Sequence, residues 1–336
     1  MKVGEITIPH FAHKKDNACT TFFSEGESRE HLQGKQHLYT LLKKHATDVK
    51  LEPFLHRLSQ RPDLLVTTQF GPMPIEFQCS TISVSDMESR SAGYRSMGMT
   101  PIWILHTPAK FTTLPQGVGI FHFSRFHESF FTHIPPEGSM LLTYHPITKR
   151  FHYFSSLLHV AGKRYIGIHR SLRLEKQIFP FAWPKAPTQL EISRYAAIYL
   201  STRHHFLQSR ILLNRKGVND PFLRICYEMR VLPTNLPCWI GVPVPFSDAF
   251  REHDCEWQLK LIYYMRLRQI RTEDLSDHQL WRFVGGGSEE QVKACTAYRD
   301  FLLQVGVESL QKRTGIDEQT IISLISERFL AKRYEN

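Results

Sequence analysis

The chain has 336 residues, 42% of them hydrophobic and 22% charged. That is a globular composition, long enough for two medium domains or one large one. No apolar run approaches the roughly 20 residues that span a bilayer. The N-terminal MKVGEITIPHFAHKK has no secretory apolar core, and six cysteines without a CxxC pair are not a disulfide framework. A protein of the reducing cytoplasm, without an integral membrane segment, is expected. Lys and Arg number 42 against 32 Asp and Glu, a net charge of +10. Such a balance favours polyanionic partners, nucleic acid first among them, although charge alone equally describes a generally basic soluble protein. The cations are scattered, as on one face of a fold: Lys43, Lys44, Arg164, Arg170, Arg173, Arg266, Arg268 and Arg271.

Taken in chain order, ESREHLQGKQHLYTLLKKHA from Glu27 reads as one helix, with Leu32, Leu38, Tyr39, Leu41 and Leu42 on its apolar face. TDVKLEPFL alternates as a first strand, irregular at Pro53. PDLLVTTQF gives a second strand, Gly71-Pro72 a turn, and MPIEFQCS a third strand. SVSDMESRSAGYRSMG is a helix with Ser83 and Asp86 at capping-box spacing and Gly98 at its end. TPIWILH closes the unit as a short apolar strand. The order is α-β-β-β-α-β. Pro180 to Pro187 is a turn-rich linker, after which EISRYAAIYLSTRHHFLQSRILL, EWQLKLIYYMRLRQI and EEQVKACTAYRDFLLQVGVESLQKR read as helices.

The third strand carries the chemistry. Its side chains alternate, so Ile75, Phe77 and Cys79 face a core while Glu76, Gln78 and Ser80 share the other face. A hairpin at Gly71 brings Asp63, at the start of the second strand, beside that face. Two carboxylates on one face repel unless a proton or cation lies between them, and Mg²⁺ is commonly held by one or two carboxylates with water and phosphate. An ordinary strand with a solvated polar face has the same alternation. His31 and Lys35 follow Glu27 by one and two helical turns, which lines the three up; a solvated helix face has that spacing too.

Pro62-Asp63, twelve residues, then Glu76-x-Gln78, inside α-β-β-β-α-β, resembles the PD-(D/E)xK nuclease core. HFAHK at His10, ESREHLQGK at Glu27, RPDLL at Arg61, IEFQCSTIS at Ile75, RSAGY at Arg90 and PIWIL at Pro101 stand in the order of the competence protein CoiA family. LPCWIGVP at Leu236 and EWQLK at Glu256 also look family-like. The resemblance is strong over 10–106 and patchier beyond. It implies a PD-(D/E)xK nuclease-like αβββαβ domain over 25–125, a connecting region with strands over 126–187 and a mainly helical C-terminal domain over 188–336. It implies a DNA-processing factor of natural transformation, either a metal-dependent nuclease or a non-catalytic accessory that presents single-stranded DNA for recombination. Competence and recombination proteins would be partners, and the membrane-associated DNA uptake machinery a place of recruitment. By the same analogy Asp63 and Glu76 would hold Mg²⁺ or Mn²⁺, Glu27 would be the acidic residue of the first helix, and Gln78 stands where the motif has lysine. Arg90 and Tyr94, one turn apart, would contact DNA, with Ser80 beside them.

The chain departs from the pattern twice. Gln78 carries no charge and is no base; Lys35 can supply a charge from the helix. Family members often carry a zinc-ribbon-like module with a CxxC before HFxH. Here 1–24 keeps only His10, His13 and Cys19 of such a module, and zinc is not expected. FHFSRFHESFF from Phe121 reads either as a base-stacking surface or as core, with core favoured. SLQKRTGIDEQTIISLISERF from Ser309 reads either as a helix-turn-helix or as plain helical packing. No Walker-type or GxGxxG motif is present.

Overall fold

The computed structural model describes residues 28–134, 138–213, 217–307 and 317–329. Helix α1 (Arg29–Leu42) opens at Ser28, whose Oγ accepts the His31 N–H at 3.2 Å. Its buried stripe is Gly34, Lys35, Leu38, Leu41 and Leu42. Leu32 and Tyr39 lie at its margins, and a lysine takes an inner position that apolar periodicity does not assign to it. Strands β1 (Asp48–Leu51), β2 (Leu64–Thr68) and β3 (Gly71–Gln78) form an antiparallel meander. The first strand stops short of Pro53, because Glu52 turns the chain away at φ +47. Gly71, at φ +107, starts the return strand with a backbone that L side chains rarely adopt.

Helix α2 (Val84–Ser96) begins with the Ser83 Oγ accepting the Asp86 N–H at 3.0 Å and is followed by Gly98 at φ +72. Strand β4 (Ile102–His106) then pairs parallel to β3, Ile75 opposite Ile102. The α-β-β-β-α-β order therefore holds, element for element. Phe77 faces α1, where Gly34 lies so close that a Cβ there would sit 2.0 Å from the ring. Glu76 and Trp103 face α2, through Tyr94 and through an indole-to-Ser91 hydrogen bond of 3.0 Å.

The sheet does not end at residue 125. After α3 (Ala109–Thr112), β5 (Gly117–His122), α4 (Arg125–Glu128) and β6 (Thr132–Ile134) come β7 (Gly138–His145), β8 (Arg150–Ala161) and β9 (Arg164–Arg173). They join one nine-stranded sheet in the order β1-β2-β3-β4-β7-β8-β9-β5, with β6 paired to β7. The region read from sequence as a connection is thus half of the sheet. Phe121, Phe123 and Phe130 are buried with Leu141 and Phe154, so these rings pack the core.

A 3-10 turn at Leu174–Lys176 leads to α5 (Gln189–Leu212), α6 (Pro221–Glu228), α7 (Asp254–Leu267), α8 (Asp277–Val284), α9 (Glu289–Gln304) and α10 (Glu318–Phe329). Helices and sheet share a core, in which Tyr195, Trp257 and Tyr298 lie with Leu158, Val160, Ile166 and Ile168 of β8 and β9. The segments LPCWIGVP and EWQLK meet there. Gln258 Oε1 accepts the N–H groups of Gly241 and Val242 at 2.7 and 3.1 Å, and its Nε2 donates to Val242 O at 2.7 Å. Gly241 has φ +91, and a Cβ would meet Cys255 Sγ at 2.2 Å, which accounts for glycine in that turn. The first part of the helix-turn-helix-like segment, 309–316, lies outside the described residues, and the rest is α10 with the residue before it. Among the described residues no helix is long and apolar enough to cross a membrane.

Candidate active site

Asp63 immediately precedes β2. Leu64 pairs with Ile75, so continuing the antiparallel register sets Asp63 and Glu76 opposite one another. Asp63 Oδ2 accepts the Phe77 N–H at 2.7 Å and lies 3.3 Å from His31 Nε2; its Oδ1 is 4.0 Å from Lys35 Nζ. The Lys35 ammonium is buried and also pairs with the Glu52 carboxylate. The helix row expected from spacing therefore converges on Asp63, at least for His31 and Lys35; Glu27 lies outside the described residues. Sequence reasoning missed Glu52. Its only signal was the interruption at Pro53, which marks where the first strand must leave the ladder.

Glu76 is 5% exposed. Its Oε1 accepts from the Tyr94 hydroxyl and the Arg90 guanidinium. Arg90 donates further to the Tyr94 hydroxyl at 3.3 Å and to Arg61 O at 3.1 Å. The two α2 residues that the family resemblance singled out as DNA contacts thus meet the strand carboxylate. A solvated polar face does not describe Glu76. Burial pushes its pKa up, Arg90 pulls against that, and the nearby Asp63 adds to the rise. Burial also raises the Tyr94 phenol, reinforced by the Glu76 charge. Burial works against the Arg90 charge, but the Glu76 carboxylate outweighs it and holds the guanidinium firmly protonated.

Gln78 and Ser80 are together but occupied with each other. Gln78 Nε2 donates to Ser80 O at 2.9 Å and to Ser80 Oγ at 3.3 Å, and it bonds neither carboxylate. Among the described residues no group of three or more His, Cys, Asp and Glu side chains is arranged to hold a metal ion. Two neighbouring carboxylates still suit a hard divalent cation that completes its shell with water and phosphate oxygens. Burial is the main cause of the raised pKa of Glu76, and the charge of Asp63 adds to it against the pull of Arg90. Asp63 and Glu76 are the carboxylates that could hold Mg²⁺ or Mn²⁺, which would share Asp63 with His31 and Lys35, and Glu76 with Arg90. His10, His13 and Cys19 lie outside the described residues.

The family model described as competence protein CoiA, nuclease-like domain, matches residues 27–182. The chain carries a segment similar to the CoiA nuclease-like domain. It is 29% identical over 273 residues to the competence protein CoiA of Bacillus subtilis (strain 168), covering 79% of this chain and 69% of that one. No solved structure gives a significant match. All nine strands of the sheet fall within the CoiA nuclease-like match, as do Asp63, Glu76, Arg90 and Tyr94. The boundary expected at residue 125 falls inside it. The 3-10 turn that follows β9 lies near its end.

Proposed function

We propose that this chain is a CoiA-like DNA-processing factor of competence that hydrolyses phosphodiester bonds, acting on internalised single-stranded DNA with a divalent metal. The observation that carries the reading is Asp63 beside Glu76 across the β2–β3 ladder, flanked by cations from α1 and α2. Asp63 and Glu76 would hold the ion. When bound, Mg²⁺ or Mn²⁺ supplies Lewis acidity toward a phosphate oxygen and lowers the pKa of a bound water.

The protein's own residues have distinct parts. The Phe77 N–H fixes one Asp63 oxygen and so sets the carboxylate's orientation. Lys35 offsets its charge while the site is empty of substrate, and the His31 imidazole lies within hydrogen-bonding reach of it. Arg90 is a quarter exposed at its side chain, so its guanidinium can pass from Glu76 to a phosphate by rotation. Tyr94 is fully buried and keeps Glu76 oriented when Arg90 leaves. Gln78 can donate to a phosphate oxygen once it releases Ser80, but it supplies no positive charge. Lys35 is the remaining ammonium beside Asp63.

The test is cleavage of single- and double-stranded DNA by the purified chain with Mg²⁺, Mn²⁺ or EDTA. Asp63→Ala and Glu76→Gln are expected to abolish metal-dependent cleavage. Gln78→Lys raises it if Lys35 does not already provide the charge; otherwise Lys35→Ala is the inactivating change. Cleavage that persists in both carboxylate variants would refute the assignment. Binding without cleavage by the unaltered chain would favour the accessory role, which Glu76's occupation by Arg90 and Tyr94 also suits.

A further inference from the structure

On the far flank of α1 lies a cleft of about 220 Å³, lined by His37, Lys44 and His45 of α1 and its terminal turn, by Lys149, and by Glu175. Lys149 sits at φ +51 in the β7–β8 turn, and its carbonyl accepts the Leu174 N–H at 2.9 Å, which ties the turn to the 3-10 segment. His37 is anchored by a 2.8 Å hydrogen bond to the Tyr144 hydroxyl. The walls are thus built from three separate segments.

The cations distinguish this cleft from the carboxylate site. There, each cation already has an acidic partner: Lys35 with Glu52, Arg90 with Glu76. In the cleft, Lys44 from the end of α1 and Lys149 from the β7–β8 turn both line the wall, and neither forms an ion pair among the described residues. Burial, with the charge of Lys149 second, lowers the pKa of His37, so at neutral pH it serves as a neutral hydrogen-bonding group. Glu175 is the one acidic lining residue. The volume is below the roughly 300–1,000 Å³ of pockets that enclose whole small-molecule ligands. It suits one phosphate with part of a sugar.

We propose that this cleft binds a backbone phosphate of a nucleic-acid strand, with Lys44 and Lys149 as the paired contacts and Glu175 as a like-charge brake on affinity. On a helix of 3.6 residues per turn, His37 lies about 200° around from Lys35. The cleft and the carboxylate pair therefore occupy opposite flanks of α1. A strand touching both must pass from one flank of α1 to the other, a distance on the order of the helix diameter of ~10 Å. The binding role needs no metal and stands whether or not the carboxylates support cleavage.

The experiment is fluorescence anisotropy of the full chain with a labelled 20-nucleotide single strand in EDTA, over a series of salt concentrations. Lys44→Ala/Lys149→Ala is expected to weaken binding about tenfold at low salt. It should also flatten the salt slope by about 1.4, since each lost contact on a single strand removes about 0.7. Glu175→Gln should tighten binding, which guards against a loss caused by misfolding. An unchanged slope in the double variant overturns the proposal. So does competition by inorganic phosphate or a nucleoside monophosphate as effective, per phosphate, as a tetranucleotide; that result would assign the cleft to a free ligand instead.

Discussion

Arg90→Ala tests the electrostatics of the candidate site directly. Glu76 is 5% exposed and takes both of its hydrogen bonds from α2. Removing one partner of a buried ion pair costs about 3–5 kcal/mol, because the remaining charge is left uncompensated. The Tyr94 bond remains and Arg90 is itself a quarter exposed, so the lower end, about 3 kcal/mol, applies at alkaline pH. Glu76 can escape the penalty by taking a proton. Its folded pKa already lies above its unfolded one. The folded state therefore holds the proton more tightly, and stability falls as pH rises through the interval between the two values. Loss of the guanidinium raises the folded pKa further and widens that interval upward. The deficit of Arg90→Ala should thus be small at pH 5 and largest near pH 8, where about 6 °C of Tm is lost at about 2 °C per kcal/mol for a chain of this size. Thermal melts at both pH values measure it, and Arg90→Ala/Glu76→Gln should recover most of the loss at pH 8. An equal deficit at pH 5 and pH 8, with no relief from Glu76→Gln, would refute the reasoning.

Asp63→Ala should destabilise the fold by about 1–3 kcal/mol in urea titrations, because the Phe77 N–H, His31 and Lys35 lose their shared acceptor. Asp63→Asn, which can still accept from Phe77, should cost less. Gly34→Ala should also destabilise, by about 1–3 kcal/mol: the new Cβ would lie 2.0 Å from a Phe77 ring atom, which outweighs the roughly 1 kcal/mol that alanine gains over glycine in a helix. In the helical half, burial pushes Asp254 up to about 7 and its neighbour His253 down to about 3. The Asp254 contribution is greatest below pH 4 and falls as pH rises to 7; that of His253 falls as pH drops from 6.5 to 3. Their opposed slopes nearly cancel between pH 4 and 6.5. Asp254→Asn should expose a stability that rises with pH over that window, and His253→Gln one that falls, read by denaturant midpoints at each pH.

Local pattern alone determined the front of this protein. Alternation, Gly71, the Ser83 cap and Gly98 specify β2, β3, α2 and β4, since turn and capping chemistry act over three or four residues. Spacing likewise placed His31 with Lys35, and Arg90 with Tyr94, on single helix faces. Tertiary structure decided what those faces meet. Sequence suggested that Asp63 and Glu76 mainly repel, whereas the fold gives Asp63 a lysine and a histidine from α1 and Glu76 a guanidinium and a phenol from α2. Lys35 reads as a surface residue and is buried, because its ammonium reaches Glu52, an acid brought near only by the turn out of β1. The extent of the sheet was hidden as well. Strand β4 pairs with β7, more than thirty residues later, and no local periodicity encodes a partner at that distance. The meeting of Gln258 with the Gly241 turn has the same origin: the two segments are recognisable apart, but only packing makes one the cap of the other.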